Sequence, residues 1–337
     1  MREYDKPIFF ILLGLSFLVS VFAIGSVPVL DPYEKIYLDA CKGFFVSGLQ
    51  LRLISAGAAA LTAFALYLYG TKIFSERVGF WSCLVLLSFG LTGLVAKFVW
   101  NGSVFVLFFT LLVFAWLRRQ YFLMVLWLVL VYVSIGPMGL VPLLAAHQSW
   151  WYYLPSLVVL LTPWTGLLPG AVAASFQDSR NEDMENLGVL HLWWVGGLIF
   201  LTIYSEKYFN MLWLIMPPLA MIIGWNLHRL EKNYLHDKHF TGNLIGSFIT
   251  FVILVLAWFF LGQQFELFAF YSKVMIFVTF VMFCVIFLAV MRFQDLCFCF
   301  YLHVGVGIIN MVFLFTYFLP VWAEKVNLEM YLSNIVK

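Results

Sequence analysis

Acidic residues in the loop after the first apolar segment are the groups of this sequence best placed to do chemistry. Asp31 and Glu34 stand three residues apart in the loop 30–50, where a carboxylate could act as a general base or hold a metal ion. The same residues could instead begin a surface helix, because Asp favours the N-cap and a first-turn acid complements the helix dipole. The residue types alone leave both interpretations open.

A second group of polar residues lies in the loop 227–241. His236, Asp237 and His239 have a spacing that could bring metal ligands together. They belong to the most charged loop of the chain, however, where solvated side chains are the simpler explanation. The five cysteines indicate neither a disulfide framework nor a metal site. The sequence therefore indicates no definite cofactor, and a divalent metal beside the first-loop acids is the option it leaves open.

The elements that must position these groups are membrane helices. Hydrophobic residues make up 64% of the 337 residues, charged residues only 11%, and the mean hydropathy is +0.98. A bilayer core of roughly 30 Å needs about 20 apolar residues per helix, and such runs recur along the chain without the alternation of barrel strands. We therefore predict an all-α integral membrane protein with about twelve transmembrane helices. The net charge of +2 gives no electrostatic footprint for nucleic acid.

Hydropathy and charge place the predicted helices along the whole chain. Gly136 and Pro137 interrupt the stretch 120–147, which is therefore either two short helices or one kinked helix. We assign 1–320 to one transmembrane domain and 321–337 to a short C-terminal tail, with an amphipathic helix along the membrane in the first loop. The predicted helices are 7–29, 51–70, 79–96, 102–117, 120–134, 136–147, 151–173, 189–204, 209–226, 242–262, 272–291 and 295–320.

Positive charges give the orientation of the bundle. In the first part of the chain six basic residues fall on one side and four on the other, so the excess favours a cytoplasmic N-terminus and an outer first loop. The first side carries Arg2, Lys6, Lys72, Arg77, Arg118 and Arg119; the second carries Lys35, Lys42, Arg52 and Lys97.

Charged residues deep within helices are nearly absent, which argues against an ion-coupled transporter. Trp193 and Trp194 are predicted to belong to an interfacial aromatic belt.

Several short motifs follow one another along the chain. They are Glu34 with Tyr37, Gly136-Pro137-Met138-Gly139, Pro163-Trp164, Ser205-Glu206-Lys207 and Met216-Pro217-Pro218. In this order they resemble the GT-C class of polyprenyl-phosphate-sugar-dependent membrane glycosyltransferases, in particular the bacterial protein mannosyltransferase-like and lipid A aminoarabinose transferase-like families. The resemblance spans about residues 1–226, and the Ser-Lys motif followed after about ten residues by a proline pair is its strongest element.

The resemblance implies a GT-C-like bundle over about 1–226, with additional helices over about 242–320. It implies transfer of a sugar from a polyprenyl-phosphate donor to a lipid or protein acceptor outside a bacterial inner membrane, with membrane lipids and other membrane proteins as further partners. Acids deprotonate the acceptor hydroxyl and cations stabilise the departing phosphate. The implied catalytic residues are Asp31 and Glu34, and the implied substrate-binding residues are Tyr37, Arg52, Lys97 and Lys207.

The sequence departs from the family pattern at positions that are expected to take part in catalysis or substrate binding. Tyr33 stands where the family has an Asp, Ile135 replaces a Lys before Gly-Pro, and Asn101 stands where a second acid is expected. A stretch with a donor-contacting Lys between the first loop and the next helix is also missing. A second hypothesis is therefore a noncatalytic lipid-binding or scaffold subunit of a membrane complex, and a transporter is a third.

Overall fold

A computed structural model describes residues 48–98, 102–135, 153–177, 183–203, 209–233, 240–264, 269–290, 296–318 and 320–321, with scattered positions between 7 and 24. Every regular element in these ranges is helical, which confirms the all-α prediction. The α-helices are α1 (Gly48–Ile73), α2 (Glu76–Ser88), α3 (Gly90–Lys97), α4 (Gly102–Leu117), α5 (Tyr121–Ile135), α6 (Tyr153–Leu160), α7 (Leu168–Gln177), α8 (Met184–Ile203), α9 (Met216–Asn233), α10 (Phe240–Gln264), α11 (Ala269–Leu288) and α12 (Leu296–Phe313). Two 3₁₀ segments, Thr165–Leu167 and Phe209–Ile215, precede α7 and α9, and a π-helical turn, Leu314–Phe318, follows α12.

Six of the described helical segments are long and apolar enough to cross a membrane, and a bent pair, α2 with α3, could form a seventh span. The chain is therefore an integral membrane protein. Helices α4 and α5 are apolar but shorter, so the total of about twelve spans stays a prediction. The predicted boundaries of the GT-C-like part at residue 226 and of the transmembrane domain at residue 320 also stay predictions.

A tight turn joins α1 to α2. The Ser75 hydroxyl caps α2 by accepting a hydrogen bond from the Val78 amide at 3.3 Å, and Glu76 follows in the first turn. Glycine lets the two helices touch beyond the turn: a Cβ added to Gly70 would lie 2.8 Å from the Cα of Gly79. Helices α1 and α2 therefore run antiparallel in backbone contact.

The predicted helix 79–96 is wrong in one respect, since the structure breaks it at Phe89. Helices α2 and α3 meet there at an angle of 62°. Phe89 has an extended backbone, and the Leu86 carbonyl at the break accepts from the Phe89 amide at 3.3 Å and from the Thr92 hydroxyl. The buried Thr92 side chain thus provides a hydrogen bond where the helix is interrupted. Hydropathy cannot reveal this interruption, because the sequence on both sides of it is apolar.

The predicted helix 151–173 is also broken. Helix α6 ends at Leu160, a turn with a cis Thr162–Pro163 bond follows, and α7 begins at Leu168. Proline cannot donate a helical hydrogen bond, so this break had a signal in the sequence. The Gly90 backbone lies beside the Leu160 carbonyl, so the two breaks lie next to each other inside the bundle.

Helix α9 is the central helix. It begins at Met216, so Pro217 and Pro218 occupy the first turn, where a missing amide hydrogen costs nothing. Asn210–Lys232 is the most buried of the described segments that could cross a membrane, and α9 packs most extensively against α2. It continues to Asn233, so the predicted loop 227–241 is too long at its start.

Other predictions are only partly covered by the described residues. The predicted helices 151–173 and 189–204 leave a loop at 175–188. This loop is shorter in the structure, because α7 continues to Gln177 and α8 begins at Met184. Helix α5 ends at Ile135, directly before the predicted break at Gly136. The predicted helix 136–147, the first-loop surface helix, and the pair His236 and His239 lie outside the described residues.

Candidate functional site

The candidate site lies at one end of the bundle. Because α1 and the bent pair α2–α3 are antiparallel, the beginning of α1, the end of α3 and the beginning of α4 share this end, which we call the Lys97 end. The 3₁₀ segment Phe209–Ile215 packs against α3 and α4. The opposite end, where Ser75 caps α2, is the Ser75 end.

Two predicted substrate-binding residues lie within electrostatic range of each other at the Lys97 end. Lys97 is the last residue of α3 and is fully buried, and Arg52, in the second turn of α1, is 5% exposed. The Arg52 guanidinium donates to the Ile24 carbonyl at 2.9 Å and lies within electrostatic range of Lys97. Small side chains around them, Ala56 and Ala96, form a buried cluster with Ile24. The structure thus brings together two cations that stand 45 residues apart.

Two cations held close together in a poorly solvated place repel each other. Their burial in a membrane protein is costly and points to function. Two buried cations within electrostatic range of each other therefore favour an anionic group at this end of the bundle, such as a phosphate or a carboxylate. The sequence predicted both residues as phosphate ligands but did not predict how deeply they are buried.

The remaining predicted site residues lie outside the described residues. These are Asp31, Glu34, Tyr37 and Lys207, together with the family departures Tyr33 and Asn101. Their assigned roles stay predictions. Ile135, the third departure, is the last residue of α5.

Three buried polar groups at the Lys97 end were missed from the sequence. The Ser103 hydroxyl, the Asn210 side-chain amide and the Trp213 indole N–H have no hydrogen-bond partner among the described residues. Asn210 stands three residues after Lys207 in the Ser-Lys motif, so the motif could have pointed to it. Buried polar groups usually have partners, so these three are candidates to contact a bound substrate.

A Ser–His pair lies near the Ser75 end, but its geometry does not suit nucleophilic catalysis. His191 Nε2 is 2.7 Å from the Ser175 hydroxyl, and the Trp194 indole donates to His191 Nδ1 at 2.9 Å. Because an indole N–H can only donate, Nδ1 carries the lone pair and Nε2 carries the proton. His191 therefore donates to Ser175 and cannot take its proton.

The aromatic belt at Trp193 and Trp194 stays a prediction, and the structure shows that both indole N–H groups donate to partners within the bundle. The Trp193 indole donates to the Leu214 carbonyl at 3.0 Å, while Trp194 binds His191. Beside Trp193, α4 and α8 enclose an apolar groove of about 340 Å³ whose lining includes Phe109, Gly196 and Phe200. Gly196 leaves space in this groove, since a Cβ there would meet nothing within 4 Å, whereas Ile215 packs closely against Gly197.

Comparison with known proteins gives relatives of one kind, although no family model matches the chain. An undecaprenyl phosphate-alpha-4-amino-4-deoxy-L-arabinose arabinosyl transferase of Pseudomonas fluorescens is 32% identical over 115 residues, which is 33% of this chain and 20% of the relative. The corresponding transferase of Erwinia tasmaniensis is 37% identical over 83 residues, 24% of this chain and 14% of the relative. The matches therefore span a fifth or less of these curated relatives.

Solved structures extend the likeness in fold. ArnT from Cupriavidus metallidurans bound to undecaprenyl phosphate superposes with a TM-score of 0.68 at 13% identity, covering 94% of this chain and 77% of that one. The apo state gives a TM-score of 0.62 at 15% identity, covering 93% and 72%. The resemblance to lipid A aminoarabinose transferase-like glycosyltransferases of the GT-C class is confirmed, by sequence over a third of the chain and by fold over nearly all of it.

Proposed function

We propose that this protein is a GT-C-like membrane glycosyltransferase that moves a sugar from a polyprenyl-phosphate donor to a lipid or protein acceptor. The proposed reaction takes place on the extracytoplasmic side of a bacterial inner membrane, at the Lys97 end. The observation that carries the proposal is the buried pair of Arg52 and Lys97 in a bundle with the fold of ArnT.

The chemistry assigns one task to each kind of residue. When the acceptor hydroxyl attacks the anomeric carbon, the bond to the donor phosphate breaks and negative charge grows on the phosphate oxygens. Arg52 and Lys97 stabilise that charge in a poorly solvated site. Asp31 or Glu34 takes the proton of the acceptor hydroxyl. Tyr37 and Lys207 complete the proposed donor site.

The apolar groove between α4 and α8 supports a lipid-linked substrate. Its volume of about 340 Å³ is of the size that binding sites commonly have, and its described lining carries no charged side chain. An isoprenoid chain would find only apolar contacts there. The Trp193–Leu214 hydrogen bond links the groove wall to the segment that carries Asn210.

The test is a transfer assay with the full-length protein in phospholipid vesicles, with a short-chain polyprenyl-phosphate aminoarabinose as donor and lipid A as acceptor. We expect turnover by the wild type, and loss of at least a hundredfold in Asp31→Asn or Glu34→Gln while helical content is unchanged. Full activity in both variants would refute the assignment of these acids. Lys72→Arg, at the Ser75 end, serves as the control.

The replaced positions Tyr33, Asn101 and Ile135 are the reason for a second candidate, a noncatalytic GT-C-derived lipid-binding or scaffold subunit, which the comparisons do not favour. It predicts binding of polyprenyl phosphate without turnover of any donor, neutral effects of both acid substitutions, and copurification with other membrane proteins in fixed stoichiometry. Direct binding measurements beside the transfer assay separate the two.

A further inference from the structure

Leu214 has a backbone carbonyl without the usual helical donors. A helical carbonyl accepts a hydrogen bond from the amide three or four residues later, and for Leu214 these positions are Pro217 and Pro218, which have no amide hydrogen. The carbonyl lies where the 3₁₀ segment Phe209–Ile215 runs directly into α9. The proline pair of the motif therefore leaves this acceptor for a donor from another part of the chain.

Trp193 of α8 supplies that donor. Its indole N–H donates to the Leu214 carbonyl at 3.0 Å, and the residue is only 8% exposed. One turn later on α8, Gly197 lies so close to the same segment that a Cβ there would be 2.5 Å from Cγ2 of Ile215. Two contacts, one polar and one steric, therefore fix the segment Phe209–Ile215 to α8.

The same indole is a wall of the apolar groove between α4 and α8. Trp193 lines the groove together with Leu214, and its ring packs edge-on against Phe109 of α4 with the centroids 5.5 Å apart. The segment that it holds, Phe209–Ile215, also packs against α3, and α3 ends at the buried Lys97. Trp193 therefore connects the proposed site of the lipid chain with the proposed site of the phosphate.

We propose that Trp193 is a positioning residue for the donor phosphate. By satisfying the Leu214 carbonyl it fixes the segment Phe209–Ile215, and through this segment it holds α3 where Lys97 can interact with the phosphate. The proline pair requires such a donor, because an unsatisfied carbonyl inside a membrane bundle is costly. The inference rests on the proposed function and adds to it a residue that lies outside every motif.

Binding of two ligands to the full-length protein separates positioning from a simple wall contact. Geranylgeranyl phosphate and geranylgeraniol share their isoprenoid chain and differ in the phosphate, and native mass spectrometry in detergent measures the affinity for each. Trp193→Phe keeps an aromatic ring in the groove wall and removes the N–H. We expect it to lower the affinity for geranylgeranyl phosphate by about fivefold or more and to leave that for geranylgeraniol unchanged. The matched control Trp194→Phe removes the neighbouring indole N–H, which bonds outside the groove, and should change neither affinity.

A compensating substitution tests the cause of the loss. Pro218→Ala supplies an amide hydrogen at the fourth residue after Leu214, so we expect it to recover most of the affinity that Trp193→Phe loses. No recovery would contradict the role of the Leu214 carbonyl. Equal losses for the phosphate and the alcohol, or no loss for either, would overturn the positioning role.

The wild-type protein distinguishes this inference from the proposed function. If it binds both probes equally, the proposed donor site is refuted, and the inference with it. If it prefers the phosphate and Trp193→Phe keeps that preference, only the positioning role is refuted. Should Trp193→Phe fail to fold, Gly197→Ala is measured in its place, because its Cβ would displace Ile215; the same selective loss of phosphate affinity is expected.

Discussion

The indole N–H of Trp164 donates a hydrogen bond to the Ser88 hydroxyl at 2.7 Å in the interior of the bundle. Ser88 ends α2, directly before the bend to α3, and Trp164 lies in the turn between α6 and α7. Helix α12 closes on the same point, since a Cβ on Gly307 would lie 2.6 Å from the Ser88 carbonyl. The two interrupted segments thus hold each other in place.

Removing this hydrogen bond should destabilise the bundle. We expect Trp164→Phe to lower the free energy of unfolding by about 1–3 kcal/mol, because it removes a buried bond and part of a packed ring. A double-mutant cycle with Ser88→Ala should give a coupling energy above about 0.5 kcal/mol. Trp116→Phe, at an indole that is 51% exposed, is the control; equal losses for Trp164 and Trp116 would count against the role of the bond.

The glycine contact between α1 and α2 gives a prediction with a control in the same helix. Gly70→Ala should destabilise the protein by about 1–3 kcal/mol, because the new Cβ would lie 2.8 Å from the Gly79 Cα. Gly57→Ala meets nothing within 4 Å and should be neutral or stabilising by about 0.4–1 kcal/mol. Chemical unfolding in detergent micelles measures both. Equal effects of the two would show that the close approach is unimportant.

The tautomer of His191 can be measured directly. Since the Trp194 indole donates to Nδ1, we expect the imidazole proton on Nε2, where it bonds to Ser175. Nitrogen NMR of histidine-labelled protein distinguishes the two ring nitrogens by chemical shift. In Trp194→Phe the Nδ1 signal should move while the protein stays folded. A proton found on Nδ1 of the wild type would exclude this arrangement.

Neutralising Lys97 should weaken the binding of lipid phosphate. We expect Lys97→Met to lower the affinity for a short-chain polyprenyl phosphate by about tenfold or more, or ~1.4 kcal/mol, because a buried cation is lost from the proposed site. Lys72→Met, at an exposed lysine of the opposite end, should leave affinity unchanged. Calorimetry in detergent measures both. Unchanged affinity in Lys97→Met would remove Lys97 from the donor site.

Composition and hydropathy determined that this chain is helical and lies in a membrane. Lipid offers no hydrogen bonds to the backbone, so apolar runs without strand alternation must close their bonds within helices. Hydropathy also placed some helices closely: α4 and α5 lie within a residue or two of their predicted bounds. Arg52 and Lys97 were predicted from the sequence as phosphate ligands beside Lys207, although neither lies in one of the motifs, and these roles stay predictions.

The tertiary structure decided where helices break and which polar groups meet. Apolar sequence on both sides of Phe89 gives no sign of the bend, which depends on Thr92 supplying a hydrogen bond and on Trp164 reaching Ser88 from another segment. The electrostatic interaction of Arg52 with Lys97 likewise joins residues that are distant in sequence. Hydropathy measures how well each residue type is accommodated in an apolar environment. These contacts depend instead on which helices pack together.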